Sequence, residues 1–291
     1  MLLLTGATGL VGSALLRRLL AEGTSVRCLV RDPRRLGTQR VRVQIALGDL
    51  TDPPSFRNAL RGVHTVVHLA ASIRDQPRGS IEELNGIATW RMVEAAQRAG
   101  VQRFVFFSVL GASTHHRARF FRAKALAEEA VRESEMRSIV FAPSIVYAPG
   151  DPWLTLLERL ALLPVVPLSG RGRALYQPIW AEDVAGCVIA ALGETDEAER
   201  LELAGPETLS YNDIVRLVLR SLGRRRPLLH VPTPMVSRAL RLLEATTGPR
   251  AFATWDEAEL MEISMVSSRG AADAERLSVK PEPMRAILAP A

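Results

Sequence analysis

The chain has 291 residues, 47% of them hydrophobic, enough for a substantial core in one large α/β domain or two lobes without disulfide or metal staples. Its net charge of +6 comes from arginines interspersed with acidic residues, the pattern of an ordinary solvated surface and not of a nucleic-acid binder. Cys28 in VRCLV and Cys187 in AGCVIA lie in apolar stretches and read as buried free thiols, which points to a reducing compartment.

MLLLTGATG enters a strand and a turn with no basic stretch or cleavage pattern before it, so no signal peptide and a cytoplasmic location are expected. Strand-length apolar runs then alternate with helical patterns: LLLT, VGSALLRRLLAEG, SVRCLV, VRVQIAL, VHTVVHLAA, a helix from Ile81 to Arg98, VQRFVFFS, a helix from Arg119 to Glu133, and RSIVFAP. This rhythm predicts an α/β protein with a doubly wound parallel sheet. Gly23, Gly62 and Gly100 each stand just before a strand, where helix C-caps belong, and the strands look too apolar to leave a wetted face. From Pro143 the pattern loosens, so the chain divides into a nucleotide-binding domain over 1–143 and a smaller substrate or partner lobe over 144–291. LELAG is placed to return to the main sheet, and SYNDIVRLVLRSLG reads as a helix. LTLLERLALLPVVPL carries Glu158 and Arg159 and is broken by Pro164 and Pro167, short of the roughly 20 apolar residues of a membrane span. Arg224, Arg225 and Arg226 follow Gly223, where they cap a helix or meet solvent; an anionic-membrane patch is the alternative.

Gly6, Gly9 and Gly12 form a G-x-x-G-x-x-G turn between the first strand and the first helix. Such glycines allow a tight turn, the approach of a pyrophosphate to the backbone, and close packing of helix on strand, while the helix start offers N–H groups to the phosphates. A merely tight connection is the alternative. SVRCLV ends in Arg31-Asp32, with Arg34 and Arg35 beyond. Arg31 in the first place after the strand favours the 2′-phosphate of NADP(H), and Asp32 leaves NAD(H) possible. Asp49 and Leu50 are placed to meet the adenine, or form a plain Asx turn.

TGATGLVG, GDLTD, VVHLAA, Asn85-Gly86, FVFFSVLGA, Lys124, PSIVYAPGD and QPIWAEDVA resemble the extended and atypical short-chain dehydrogenase/reductase superfamily of Rossmann proteins over nearly the whole chain. Within it the spacing is most similar to the nucleotide-binding accessory subunit of respiratory NADH dehydrogenase, with NmrA-like proteins as near neighbours. The resemblance implies that Gly6, Thr8, Gly9, Leu10 and Val11 line the pyrophosphate, that Leu69, Ala70 and Ala71 pass the adenosine, and that Pro143, Ser144 and Val146 approach the nicotinamide. It puts Ser108 on the catalytic serine and Lys124 on the lysine of the Tyr-x-x-x-Lys motif, where a ribose or nicotinamide contact is expected; only Lys124 and Lys280 are lysines in this chain.

Four residues before Lys124 stands Phe120 in place of the tyrosine, and a phenyl ring neither gives nor takes a proton. Tyr147 could reach the nicotinamide side or pack beneath its turn. His115 and His116 are stand-in proton donors, or simply solvated. His68, ending an apolar strand, reads as a satisfied core residue, and no Cys/His/carboxylate spacing suggests a metal site. Two functions remain open. A reductase of a small-molecule substrate requires an apolar pocket from Ser108 to Ser113, Phe120, Phe121, Tyr147 and the segment Asp151 to Pro167. A non-catalytic dinucleotide sensor or assembly subunit, peripheral to a larger complex, requires a partner surface, for which the apolar stripes of Met235 to Leu243 and Trp255 to Met265 are candidates.

Overall fold

In the computed structural model, which describes residues 1–193, 199–238, 240 and 255–289, seven strands form the main sheet. They are β1 (Leu2–Thr5), β2 (Val26–Val30), β3 (Gln44–Leu47), β4 (Thr65–His68), β5 (Arg103–Phe107), β6 (Arg137–Pro143) and β7 (Glu199–Leu203). The spatial order is β7-β6-β5-β4-β1-β2-β3, and every pairing is parallel. The direction of winding reverses between β1 and β4, so the loops after these two strands diverge and leave a crevice at their carboxyl ends.

Alternation along the strands divides the core. Leu2 and Leu4 face a cluster with α1 (Leu10–Ala21) and α6 (Ala181–Gly193), whereas Leu3, Val66, Phe104 and Phe106 face α3 (Ala88–Arg98) and α4 (Arg119–Arg132). Helices cover both faces, and each fully buried leucine contributes about 1.5–3 kcal/mol. The returning strand β7 begins two residues before LELAG and takes in only its Leu201–Leu203, pairing with β6 from Glu199↔Ile139 to Leu203↔Pro143, so the chain completes its first sheet only after passing through the second lobe.

Two local expectations are corrected. VRVQIAL contributes only Gln44–Leu47 to the sheet, and Pro33–Val41 coils into 3₁₀ turns kinked at Gly37. β3 is moreover the sheet's edge, with Leu47 63% exposed, so an apolar strand does keep a wetted face where no further strand or helix covers it. The helix from Ile81 to Arg98 is continuous but widens into a π-helical turn over Glu83–Ile87.

The smaller lobe is built on α5 (Pro152–Leu160) and α7 (Tyr211–Ser221), capped by Asp151 and Ser210, with Val166–Ser169 paired in parallel to Leu228–Val231. Its core holds Tyr147, Leu154, Leu157, Tyr176, Tyr211, Ile214 and Val218. Trp255–Leu260 is a short helix. Of the stripe expected over Met235 to Leu243, positions 239 and 241–243 lie outside the described residues. Cys28 and Cys187 are buried and unpaired, and burial pushes both thiols up to about 12.

Candidate functional site

The glycine turn occupies the crevice where the winding reverses. Gly6 has φ +71°, and a Cβ there would lie 2.7 Å from the Ala70 nitrogen and 2.8 Å from the Leu69 carbonyl carbon, so the loop after β4 rests directly on the turn. At Gly12 a Cβ would lie 2.1 Å from the Gly6 oxygen; this glycine lets α1 sit close on β1. Gly9 differs. It is exposed, it starts α1 with φ −84° and ψ 178°, and a Cβ would meet only the Gly6 oxygen, at 3.2 Å. The chain's own packing requires Gly6 and Gly12, whereas the bare backbone at Gly9 faces open space above the start of a helix with no acidic residue in its first turn. Thr8, Leu10 and Val11 are half-buried around it.

A buried relay fixes this turn. Thr5 and His68 are register partners at the ends of β1 and β4, and the His68 ring is fully buried between hydroxyls, with Nδ1 2.9 Å from Thr5 Oγ1 and Nε2 3.1 Å from Thr89 Oγ1. Thr89 donates its proton to the Asn85 carbonyl, so Nε2–H must donate to Thr89 and Nδ1 must accept from Thr5. Burial, helped by the charge of Lys124, lowers the His68 pKa to about 3 and keeps the ring neutral. Asn85 continues the relay: its Oδ1 accepts from Ser72 N–H, and its Nδ2 donates to the Ser72 and Ile81 carbonyls. The π-helical turn carries Asn85 into this position, which holds Leu69, Ala70 and Ala71 against Gly6. Sequence reading accounted for His68 as a core residue but missed Thr5, Thr89 and the part Asn85 plays; the signal was a hydroxyl or imidazole ending an otherwise apolar strand.

At the end of β5, Ser108 Oγ is buried and has no hydrogen-bond partner among the described residues. Beside it, Lys124 Nζ is buried, donates to the Phe107 carbonyl at 2.6 Å, and lies 4.8 Å from the Phe106 ring centroid and 5.9 Å from that of Phe120. Burial lowers its pKa to about 7, against the pull of Glu128. Phe120 meets Phe121 edge-on and joins Val109, Ala112, Ala118, Leu260, Ile263 and Met265 in an apolar cluster. The residues expected around one pocket divide between two clusters: Tyr147 and α5 belong to the core of the small lobe, the Tyr147 ring wholly buried, while Leu260, Ile263 and Met265 pack with Phe120. The short helix Trp255–Leu260 is tied back by ion pairs, Arg74 with Glu257 at 2.5 Å and Arg119 with Asp256 at 3.8 Å; Arg119 also pairs with Glu82 and Asp75.

The remaining candidates are spread around this crevice. Arg31 is exposed and makes no ion pair among the described residues, although its charge helps hold Asp49 ionised. Asp32 accepts from the Arg34 backbone and guanidinium, which draw its pKa down. Asp49 forms the Asx-type turn with Thr51 and pairs with Arg78 at 3.2 Å, and Leu50 packs partly against the core. Pro143 is buried at the end of β6, and the Ser144 hydroxyl is engaged with the Met265 carbonyl and Gln177 N–H; Val146 pairs with Ile179. The His116 ring stacks on Phe121 with centroids 4.5 Å apart and accepts from Ala118 N–H, while His115 is exposed. Burial lowers the His116 pKa. Among the described residues no cluster of His, Cys, Asp or Glu could hold a metal ion, and no helix is long and apolar enough to cross a membrane.

A glycine turn at the reversal of a doubly wound parallel sheet defines the class, the Rossmann-fold NAD(P)-binding proteins. The NmrA-like family model matches residues 1–284, and the chain belongs to that family. It is 28% identical to ceramide reductase of Caulobacter vibrioides over 91% of this chain and 85% of that protein. It is 30% identical to sterol demethylase protein B of Methylococcus capsulatus over 86% and 83%. Subunit 9 of the NADH dehydrogenase 1 alpha subcomplex from Arabidopsis thaliana is 26% identical over 85% of this chain, which spans 62% of that subunit. The fold is shared with a nucleoside-diphosphate-sugar epimerase from Staphylococcus aureus, with a TM-score of 0.80 and 18% identity over 99% of each chain. It is shared as well with an NADPH-dependent quinone oxidoreductase from Escherichia coli solved with NADPH, with a TM-score of 0.76 and 15% identity over 99% of this chain and 98% of the other.

Proposed function

We propose that the chain binds NADP(H) above Gly9 and is an oxidoreductase that works without a tyrosine acid, Phe120 standing where the phenol would be. The observation that carries this reading is Ser108: a buried hydroxyl with no partner, at the carboxyl edge of the parallel sheet, where open α/β sheets take their ligands. An unmatched buried hydroxyl costs about 1–3 kcal/mol, which a bound carbonyl oxygen would recover. The open backbone at Gly9 and the unpaired Arg31 support a dinucleotide with a 2′-phosphate; NAD(H) is the alternative cofactor.

The cofactor, when bound, supplies or accepts the hydride. The residues do the rest. The backbone from Gly6 to Gly12 and the start of α1 hold the pyrophosphate, and the relay through His68 keeps that turn and the loop at Leu69 in register. Lys124 pins the Phe107 carbonyl and so fixes the end of β5 that presents Ser108. Ser108 Oγ donates a hydrogen bond to a substrate oxygen. Phe120, Phe121, Val109, Leu260 and Met265 exclude water and select an apolar substrate, in keeping with relatives named for ceramide and sterol chemistry. The proton comes from solvent through Ser108, or is not needed, as with an iminium substrate; loss of a positioned acid costs about 10²–10⁴ in rate.

One observation favours a second reading, a non-catalytic binding subunit: Lys124, the buried cation beside the Ser108 loop among the described residues, is spent on a backbone carbonyl, and its aromatic neighbour Phe120 has no proton to give. Titration with NADPH and NADH by cofactor fluorescence, followed by turnover with apolar quinones, ketones and imines, separates the two. Turnover abolished by Ser108→Ala supports the enzyme; tight binding with no acceptor turned over supports the subunit; and binding of neither nucleotide refutes both.

A further inference from the structure

The small lobe carries a cluster of arginines outside the crevice described above. At the carboxyl ends of α5 and α7, Arg216, Arg220, Arg224, Arg225 and Arg226 line an open groove of about 470 Å³ with Leu219 and Pro227, and among the described residues no acidic side chain lines it. Helix capping accounts for little of this charge. Arg224 donates to the Ala161 carbonyl at the end of α5, and Arg216 pairs with Asp213. Arg220, Arg225 and Arg226 are exposed and form no ion pair among the described residues.

Large apolar side chains surround the same groove. The turn after α5 exposes Leu162 to 63%, along with Leu163 and Val165, and Leu222 protrudes between Arg220 and Arg224. Backbone contacts hold the two sets together: the Arg224 guanidinium reaches the residue before Leu162, and Val166 N–H donates to the Pro227 carbonyl, setting Val165 beside Arg226. Single exposed leucines are unremarkable on a soluble surface, but four apolar side chains on adjoining turns beside three arginines without an ion pair among the described residues form an amphipathic face. Arginine stems reach past apolar surface to place their charge at phosphate level while leucines enter the acyl boundary.

We propose that this face docks the protein on an anionic lipid bilayer, with the turn Leu162-Leu163-Pro164-Val165 and Leu222 inserted at the interface and Arg220, Arg225 and Arg226 on lipid phosphates.

The test is co-sedimentation of the full chain with vesicles of phosphatidylcholine alone or with phosphatidylglycerol added, at low and high salt. The expected result is binding only to the anionic vesicles, weakened about fivefold for each arginine removed, so that Arg225→Ser is readable alone and Arg220→Ser with Arg225→Ser and Arg226→Ser costs about a hundredfold. Leu162→Ser with Leu163→Ser should abolish the binding that survives at high salt, since screening removes the charge contribution first. All five positions are exposed, and NADPH affinity and melting temperature should match the unaltered protein. Failure to sediment with anionic vesicles at low salt would overturn the proposal. So would capture by soluble heparin together with vesicle binding indifferent to the leucine changes, which assigns the groove to a soluble polyanion.

Discussion

Alanine at Gly9 and alanine at Gly12 should separate a glycine kept for a ligand from one kept for the fold. At Gly9 the backbone, φ −84° and ψ 178°, suits alanine, and the new methyl meets only the Gly6 oxygen at 3.2 Å. That oxygen must yield by a small amount and alanine starts a helix poorly, for a folding cost of about 1 kcal/mol. In the proposed binding mode the methyl stands where the pyrophosphate approaches the backbone, and such overpacking costs about 1–3 kcal/mol, or about 5- to 150-fold in NADPH affinity. At Gly12 the methyl would lie 2.1 Å from the Gly6 oxygen, 2.8 Å from its carbonyl carbon and 2.9 Å from the Ala7 Cα, all backbone atoms. Relief requires lifting α1 off β1, at about 3 kcal/mol or more. Thermal melts by circular dichroism and NADPH fluorescence titrations on the same preparations give both quantities. Wild-type affinity in Gly9→Ala, or a melt lowered as far as that of Gly12→Ala, would refute the division of roles.

Phe120→Tyr, which sets a phenol close to the Lys124 ammonium, should raise the rate of carbonyl reduction by about 10²–10⁴ if the protein is an enzyme, in steady-state assays with NADPH. If Arg31 holds a 2′-phosphate as proposed, Arg31→Ala should weaken NADPH about tenfold while leaving NADH, which lacks that phosphate, unchanged; fluorescence titration of both nucleotides measures this. The His68 pKa falls from 6.5 to about 3 on folding, so the unfolded chain takes the proton first; the stability this ring contributes is complete above pH 6.5 and is lost on acidification toward pH 3, by up to about 1.4 kcal/mol per pH unit. Urea midpoints followed through that range should fall, with a shallower fall in His68→Gln. Lys124 has its pKa lowered from 10.5 to about 7, so its contribution likewise grows as pH rises from 7 toward 10.5, and Lys124→Met should remove that rise in melting temperature.

Local signals made the dinucleotide-binding half of the fold legible. The glycine spacing, the alternation of apolar strands with amphipathic helices, and LELAG as a returning strand all express periodicity or turn chemistry within a few residues. What escaped was decided at long range. Leu47 and Ile45 are as apolar as any core strand, and only the order of strands tells that β3 is an edge. Tyr147 follows close on the end of β6 in the sequence, but it pairs in a short strand with Trp180, and the small lobe's core, which draws in residues as distant as Met284, claims its ring. Three of the residues packed with Phe120, Leu260, Ile263 and Met265, come from a distant segment next to the pairs Arg74 with Glu257 and Arg119 with Asp256, whose separation in the chain leaves no local trace. The hydroxyl relay was half visible, since His68 stood out in an apolar strand while Thr5 and Thr89 resembled ordinary β-branched residues.

The return of β7 to the main sheet also shapes how the protein is made. β6 runs Arg137–Pro143 and is almost wholly apolar, and its outer edge stays uncovered until Glu199–Leu203 has left the ribosome and docked. During synthesis an unpaired, aggregation-prone strand therefore waits for more than fifty residues of the small lobe to emerge. Truncation between these two strands should yield insoluble product even though every residue of the glycine turn is present. Chaperone demand in this family should accordingly track the length of the segment inserted between β6 and β7, not the size of the nucleotide-binding half.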